Sequence, residues 1–344
     1  MIKKIANYTL RKVKEKTVSE LEHNVADLAV KLERAQTENN RLISELTIEQ
    51  RQREENKSLF GGIFQISAKE VVTKIFSGFI MYLDPRDIAV VPHIILEGIW
   101  ERQVTIAWLE VLKRRSDAVV LDIGANFGYF GLLAAQNLDK KAAKVVLFEA
   151  NPNLLPYIHK TLSVNWLNEN TVVEGLAVAD SNGTAQLNVL EDYTGSSSMH
   201  TIEHLDSYLG HKMHIKAESV IDVKSTTIDS YCKKHGLPRI DIIKMDIEGY
   251  EEKAYQGMRQ MVAASPDTIM FIEFTKDGYE QPKQFYDQMV KDFGNIYTID
   301  SEGGLVVPKN AGYESVFAGV DDWIMLVFSK QPLVGSKHQT KIAG

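Results

Sequence analysis

The chain has 344 residues, 44% of them hydrophobic and 25% charged, with a formal net charge of -7. These are the proportions of an ordinary soluble globular protein, and the acidic balance argues against nucleic acid as the main partner. The single cysteine, Cys232, excludes an intrachain disulfide and fits a reducing compartment.

No uninterrupted apolar run reaches the length of a membrane span; the nearest, Val71 to Leu83 and Ile88 to Trp100, are broken by charge or proline. The first residues lack the apolar core and small-residue cleavage site of a secretory signal. The expected location is the cytoplasm.

Residues 1–16 are basic, with Lys3, Lys4, Arg11, Lys12, Lys14 and Lys16 against Glu15. Ile2, Ile5, Thr9 and Val13 fall on one helical face. The plain reading is a solvated helix start; the alternative is contact with an anionic membrane surface on the inner side. Heptads follow. Val18, Val25, Leu32, Asn39 and Leu46 form one column, and Leu21, Leu28, Ala35 and Leu42 the other. Val at a with Leu at d favours a parallel dimer, and Asn39 at a fixes register. A coiled coil over residues 18–49 is expected, giving an oligomer. The alternative is one amphipathic helix lying on its own domain.

The expected organisation is an N-terminal helix or coiled coil (1–57), a helical lead-in (58–116) with a turn at Asp84-Pro85-Arg86-Asp87, an α/β domain (117–330) and a loose tail (331–344). Strands are predicted at Val119–Ile123, Lys144–Phe148, Thr171–Ala177, Gln186–Leu190, Ile240–Met245, Thr268–Phe274, Ile296–Asp300 and Trp323–Ser329. Helices are predicted near Phe127–Leu138, Leu154–Asn168, Thr227–His235, Tyr250–Ala264 and Lys283–Phe293. Such alternation implies a mostly parallel sheet covered on both faces, with ligands at the strand carboxyl ends. The last strands are expected as an antiparallel edge pair.

The first chemical signal is Val119-Val120-Leu121-Asp122-Ile123-Gly124-Ala125-Asn126-Phe127-Gly128, a buried strand entering a glycine turn and a helix. Gly124 and Gly128 are expected to let backbone approach a ligand. Glu149, at the end of the second strand, is placed to accept hydrogen bonds from ribose hydroxyls. A nicotinamide fingerprint needs a glycine where Asn126 stands, and a pyrophosphate would be repelled by Asp122. S-adenosylmethionine carries a sulfonium and an ammonium and no phosphate, so the D-x-G-x-N-x-G form favours it.

The second signal is Lys244-Met245-Asp246-Ile247-Glu248-Gly249-Tyr250-Glu251. Alternation puts Lys244, Asp246 and Glu248 on one side. If the next strand is a neighbour, Asp246 and Glu273 converge. The pair can hold a hard ion such as Mg²⁺, or one of them can take a proton from a substrate hydroxyl while Lys244 tunes its charge. The bland alternative is that Asp246 caps the next helix and Glu273 pairs with Lys244. Glu191 to Glu218 interrupts the rhythm with Gly195-Ser196-Ser197-Ser198 and His200, His204, His211 and His214. It is the candidate substrate lid, with Ser197 and His200 expected at the acceptor.

These motifs resemble the FkbM-type methyltransferases. The likeness runs through Val120 to Phe130, Phe148-Glu149-Ala150-Asn151-Pro152, Ala177-Val178-Ala179-Asp180, Ser225 to Tyr231 and Lys244 to Glu251, with Leu96 to Glu101 as lead-in. The resemblance implies a Rossmann-like class I fold with a seven-stranded sheet. It implies S-adenosylmethionine-dependent O-methyl transfer, often to a sugar hydroxyl of a glycan or glycosylated metabolite. It puts Asp122, Gly124, Asn126 and Gly128 at the methionine end, Glu149 on the ribose, Asp180 near the adenine amino group and Asp246 beside the transferred methyl. Trp100 and Glu101 of the lead-in are expected at the acceptor. The coiled coil lies outside the family pattern. Two rival readings are a decayed methyltransferase-like domain on a coiled-coil scaffold and a nicotinamide oxidoreductase.

Overall fold

A computed structural model describes residues 65–66, 69–189, 199, 219–320 and 323–334. The basic segment 1–16, the heptads of 18–49, and Ser197 and His200 of the expected lid lie outside the described residues.

The described chain opens in strands rather than helices. β1 (Gln65–Ile66), β2 (Val71–Lys74) and β3 (Ile80–Leu83) make a small antiparallel sheet in that order. This corrects the expected helical lead-in. The run Val71 to Leu83 is divided by Ser77-Gly78, with Gly78 at φ 86°. Two short apolar runs rich in β-branched and aromatic residues on either side of such a turn read as a hairpin. Helices follow only afterwards, as α1 (Val90–Glu97) and α2 (Arg102–Leu112).

From residue 119 the elements alternate. They are β4 (Val119–Ile123), α3 (Tyr129–Asn137), β5 (Lys144–Phe148), α4 (Leu155–Val164), β6 (Thr171–Glu174), β7 (Ala177–Val178), β8 (Gly183–Val189) and β9 (Ser219–Thr226). Then come α5 (Ile228–His235), β10 (Ile242–Met245), α6 (Glu251–Gln256), α7 (Arg259–Ala264), β11 (Ile269–Thr275), α8 (Pro282–Phe293), β12 (Asn295–Ile299), β13 (Leu305–Val306), α9 (Tyr313–Val316) and β14 (Trp323–Ser329). The hairpin sheet is tied to α4 and the residue after it. Tyr82 N donates to Thr161 Oγ1 at 3.0 Å, and Ile80 exchanges backbone bonds with the Asn165 amide at 3.0 and 2.7 Å.

The main sheet has eight strands in the order β13-β12-β14-β11-β10-β4-β5-β6. β6, β5, β4, β10 and β11 are parallel; β14 runs antiparallel between β11 and β12. The extra strand relative to expectation is the two-residue β13 on β12. β4 and β10 are buried along their whole length, as parallel strands covered on both faces must be. One face carries Val120, Val145, Ile242, Phe271 and Val327 and packs on Trp108 of α2 and Phe130 of α3. The other carries Leu121, Ile123, Val146, Ile243, Met245 and Ile272 and packs on Tyr231 of α5, Tyr255 of α6 and Phe285 of α8.

Three further boundaries differ from expectation. The strand expected over 171–177 splits, because β7 leaves the main sheet and joins β8 and β9 in a separate sheet of order β7-β9-β8. The helix expected over 250–264 breaks at Gly257, where a Cβ would lie 2.1 Å from the Ala179 carbonyl oxygen. The start of the expected loose tail is anchored: Leu333 is buried and its N–H donates to Tyr297 Oη at 2.9 Å.

Candidate active site

The turn after β4 closes on its two neighbouring strands. Gly124 and Ala125 both donate to the Phe148 carbonyl at 3.0 Å. Gly124 has φ 78°, and a Cβ there would lie 1.8 Å from the Asp246 carbonyl oxygen. The glycine is thus demanded by contact with the end of β10, and it also lines the cleft described next. Gly128, at φ 82°, starts α3; its Cβ would meet Leu147 and Ile158 of the core at 3.1 and 3.3 Å. That corrects the expectation that Gly128 faces a ligand.

A cleft lies at the carboxyl ends of β4, β5 and β10. Its walls are Ile123, Gly124, Phe148, Glu149, Leu176, Val178, Leu187, Met199, Asp246, Ile247 and Glu248. Glu149 is its anchored acid: Oε2 accepts from Asn126 N at 2.6 Å and Oε1 from Asn151 N at 2.7 Å. Burial pushes its carboxyl up to about 7, against the pull of those two amides. Asn126 reaches the cleft through this backbone bond. It holds φ 53°, and its side-chain Oδ1 is buried with no hydrogen-bond partner among the described residues.

Asp122 does not line the cleft. It is 1% exposed and accepts from Gly131 N at 2.7 Å under α3. The reason is alternation: Asp122 shares the face of Val120, opposite to Ile123, and its register partner on β10 is Lys244. Burial raises its carboxyl to about 6, with Lys244 opposing. Asp180 is exposed, accepts from Ser181 Oγ at 3.1 Å and is not part of the cleft wall.

Beside the cleft, the same sheet face gathers charge. Lys244 is 3% exposed and donates from Nζ to Asp246 Oδ2 at 2.8 Å. Its ammonium also lies 4.6 Å from the Phe130 ring centroid, a cation–π contact. Burial alone would discharge Lys244. Asp246, Glu101 and Asp122 overcome it and hold the ammonium charged. Glu273 lies one position beyond the Met245–Ile272 pair, so it stands beside Asp246 on the neighbouring parallel strand. Burial, then Asp246, raises its carboxyl well above the usual range. The expected convergence of Asp246 and Glu273 is therefore present, and Lys244 bonds to Asp246.

Glu101, expected at the acceptor, joins this pair. One oxygen each from Glu101, Asp246 and Glu273 lie within 4.8 Å of one another. Burial lifts the Glu101 carboxyl to about 7, with Lys244 opposing and Asp246 adding. Trp100 is half-buried, meets His93 edge-on with ring centroids 5.6 Å apart, and accepts from Thr105 Oγ1 through its carbonyl. The three acids are close enough to share a hard cation. Lys244 already puts a positive charge against one of them, Asp246.

Two acids of the β10–α6 turn escape simple motif reading. Glu248 holds φ 55° and lines the cleft. Glu251 is fully buried, accepting from Ile247 N at 2.7 Å and Tyr279 Oη at 3.1 Å. Burial raises it to about 7. In sequence it reads as an ordinary acid in the first turn of a helix. The buried Tyr279 hydroxyl, which also reaches the Glu273 carbonyl at 2.9 Å, carries no sequence signal.

Comparison with known proteins identifies a family. Residues 122–314 match the family model described as the methyltransferase FkbM domain. A 2-O-methyltransferase, NoeI, from Sinorhizobium fredii (strain NBRC 101917 / NGR234) is 24% identical over 186 residues, covering 52% of this chain and 70% of its own. Among solved structures, methyltransferase FkbM from Methylobacillus flagellatus KT is similar at 14% identity and a TM-score of 0.41, covering 70% of this chain and 52% of that one. An O-methyltransferase from Bacillus cereus, solved with SAH, is similar at 15% identity and a TM-score of 0.37, covering 65% and 80%.

Proposed function

This chain belongs to the FkbM methyltransferase family, and from that premise we propose that it is an S-adenosylmethionine-dependent O-methyltransferase acting on a sugar hydroxyl of a glycan or glycosylated metabolite. One observation carries the reading. The cleft with its anchored acid, Glu149, and the acid cluster of Glu101, Asp246 and Glu273 adjoin at Asp246, which belongs to both. A donor site and a proton-accepting site thus share a wall. Transfer to oxygen is supported by the similarity to NoeI, a 2-O-methyltransferase; the sugar acceptor is what the resemblance to the family implies.

The cleft fits the donor by its chemistry. Leu176, Val178, Leu187 and Met199 give it apolar walls, suited to an adenine. Glu149 keeps further acceptor capacity beyond its two backbone bonds, suited to ribose hydroxyls. The orphaned Asn126 Oδ1 is a buried acceptor awaiting a donor. Bound S-adenosylmethionine would supply a methyl group on a sulfonium for transfer to the acceptor oxygen. Asp246 would orient the acceptor hydroxyl, and Lys244, bonded to Asp246, would hold it in place and serve as the cation instead of Mg²⁺. Position and exclusion of water do most of the work.

The heptads support a parallel dimer in this reading, which raises the local concentration of sites on a repeating acceptor. Incubation with radiolabelled S-adenosylmethionine and a panel of glycan extracts tests the activity. Label on a sugar oxygen supports it, and label on nitrogen or carbon contradicts O-transfer.

A further inference from the structure

The acids at the strand ends are unequally engaged. Asp122 accepts an amide of α3 and Asp246 is bonded to Lys244. Glu101 Oε2, like Asp122 Oδ1, is shielded from solvent and has no hydrogen-bond partner among the described residues; of the two, Glu101 is the one that stands with Asp246 and Glu273. A buried carboxylate oxygen left without a donor is unfavourable, and a proton relieves it.

The backbone brings Glu101 there at some strain. It is the residue before α2, at φ 43°, in the left-handed region that a side chain other than glycine seldom adopts. Such strain tends to persist where the surrounding structure enforces it and function uses it. The result is a carboxylate carried from the lead-in across to β10 and β11, within 4.8 Å of Asp246 and Glu273.

We propose that Glu101 is the general base of the reaction, taking the proton of the acceptor hydroxyl while Asp246, pinned by Lys244, orients that hydroxyl. The proposal rests on the O-methyl transfer reading above. The acceptor O–H bond breaks and its proton forms a carboxylic acid on Glu101. An oxygen lone pair forms the new bond to the methyl carbon. The carbon–sulfur bond breaks with its pair going to sulfur, so the sulfonium becomes a neutral thioether. Carboxylate and sulfonium thus vanish together, and the net charge of the site is unchanged by transfer. That balance suits a poorly solvated pocket, where an unmatched charge would be costly. The acid then returns its proton to solvent as product leaves.

The groups facing Glu101 are Lys244 and Asp246 from β10, Glu273 from β11 and Tyr129 from α3. Lys244 favours its charged form; Asp246 favours the neutral one. A carboxyl lifted by burial to about 7 is that of a base matched to its task.

Calorimetric titration of the full chain near pH 7, in two buffers of different ionisation enthalpy, reads the proton without needing the acceptor. S-adenosylmethionine should release more protons on binding than S-adenosylhomocysteine, because only the sulfonium favours a charged Glu101. Glu101→Gln should bind the donor within about threefold of the parent and lose that excess, while Glu273→Gln keeps it. With an unmethylated glycan from the panel that the parent chain methylates, Glu101→Gln should lower kcat by roughly a hundredfold or more with KM for the donor unchanged, and Glu101→Asp should recover part. An excess undiminished in Glu101→Gln, or lost only in Glu273→Gln, overturns the assignment. Absence of donor binding by the parent chain is a different result: it overturns the methyltransferase reading on which the assignment stands.

Discussion

Gly124 and Asp246 belong to different motifs, yet a single Cβ on Gly124 would lie 1.8 Å from the Asp246 carbonyl oxygen. The turn after β4 and the end of β10 are thus built to touch. Gly124→Ala must move one of them and must also hold a left-handed φ of 78°. Overpacking and backbone strain each cost about 1–3 kcal/mol. The variant should lose about 3 kcal/mol of stability or more, read by urea unfolding, and should bind donor poorly.

The Lys244–Asp246 pair separates two accounts of the acids. Asp246→Asn should leave donor binding largely intact and lower turnover by roughly a hundredfold. Lys244→Met leaves buried acids without their cation and should destabilise the fold by about 3 kcal/mol or more. Since the ammonium supplies the positive charge, turnover should be unchanged in excess chelator. Loss of activity there, restored by Mg²⁺, would contradict the role given to Lys244.

Acidity should favour the folded chain over a defined range. Burial raises the carboxyls of Glu101, Glu149 and Glu251 to about 7 and that of Asp122 to about 6. A raised acid binds its proton more tightly when folded. Its stabilising share is complete below the ordinary carboxyl range, near pH 4, and is lost as pH rises to about 7. Each group contributes at most about 1.4 kcal/mol per unit of displacement. Unfolding by urea at pH 5, 6 and 7 should show falling stability, with a shallower fall in Glu251→Gln. A stability that rises over that range contradicts this balance.

The parallel strands and their acids were legible because alternation and motif spacing are local. Lys244 and Asp246 sit two apart on a strand, and the pairing of β10 with β11 brings in Glu273. Alternation also held the clue that Asp122 points away from the cleft, since it is out of phase with Ile123. Charge reasoning about the D-x-G-x-N-x-G form, together with the family resemblance, put Asp122 against the donor. The hairpin of β2 and β3 was masked because an apolar run suits a buried helix as well as strands. Glu101 could not be assigned from spacing. Its arrival depends on a left-handed residue before α2 and on α2 packing across a distant part of the sheet.

The heptads make a prediction of their own. The chain should be dimeric in solution, and deletion of residues 1–57 should give a folded monomer that retains donor binding. Light scattering decides it. A monomeric full chain, or an unchanged oligomer after deletion, would place the apolar stripe elsewhere.

The central claim is that the Glu149 cleft holds the methyl donor. Calorimetric titration of S-adenosylmethionine and S-adenosylhomocysteine into the parent chain and Glu149→Ala tests it most directly. The account predicts micromolar binding of both ligands, weakened about tenfold or more for both by the substitution, which removes their shared ribose contact. Absence of heat and of any thermal shift with either ligand, or affinities untouched in Glu149→Ala, would contradict it.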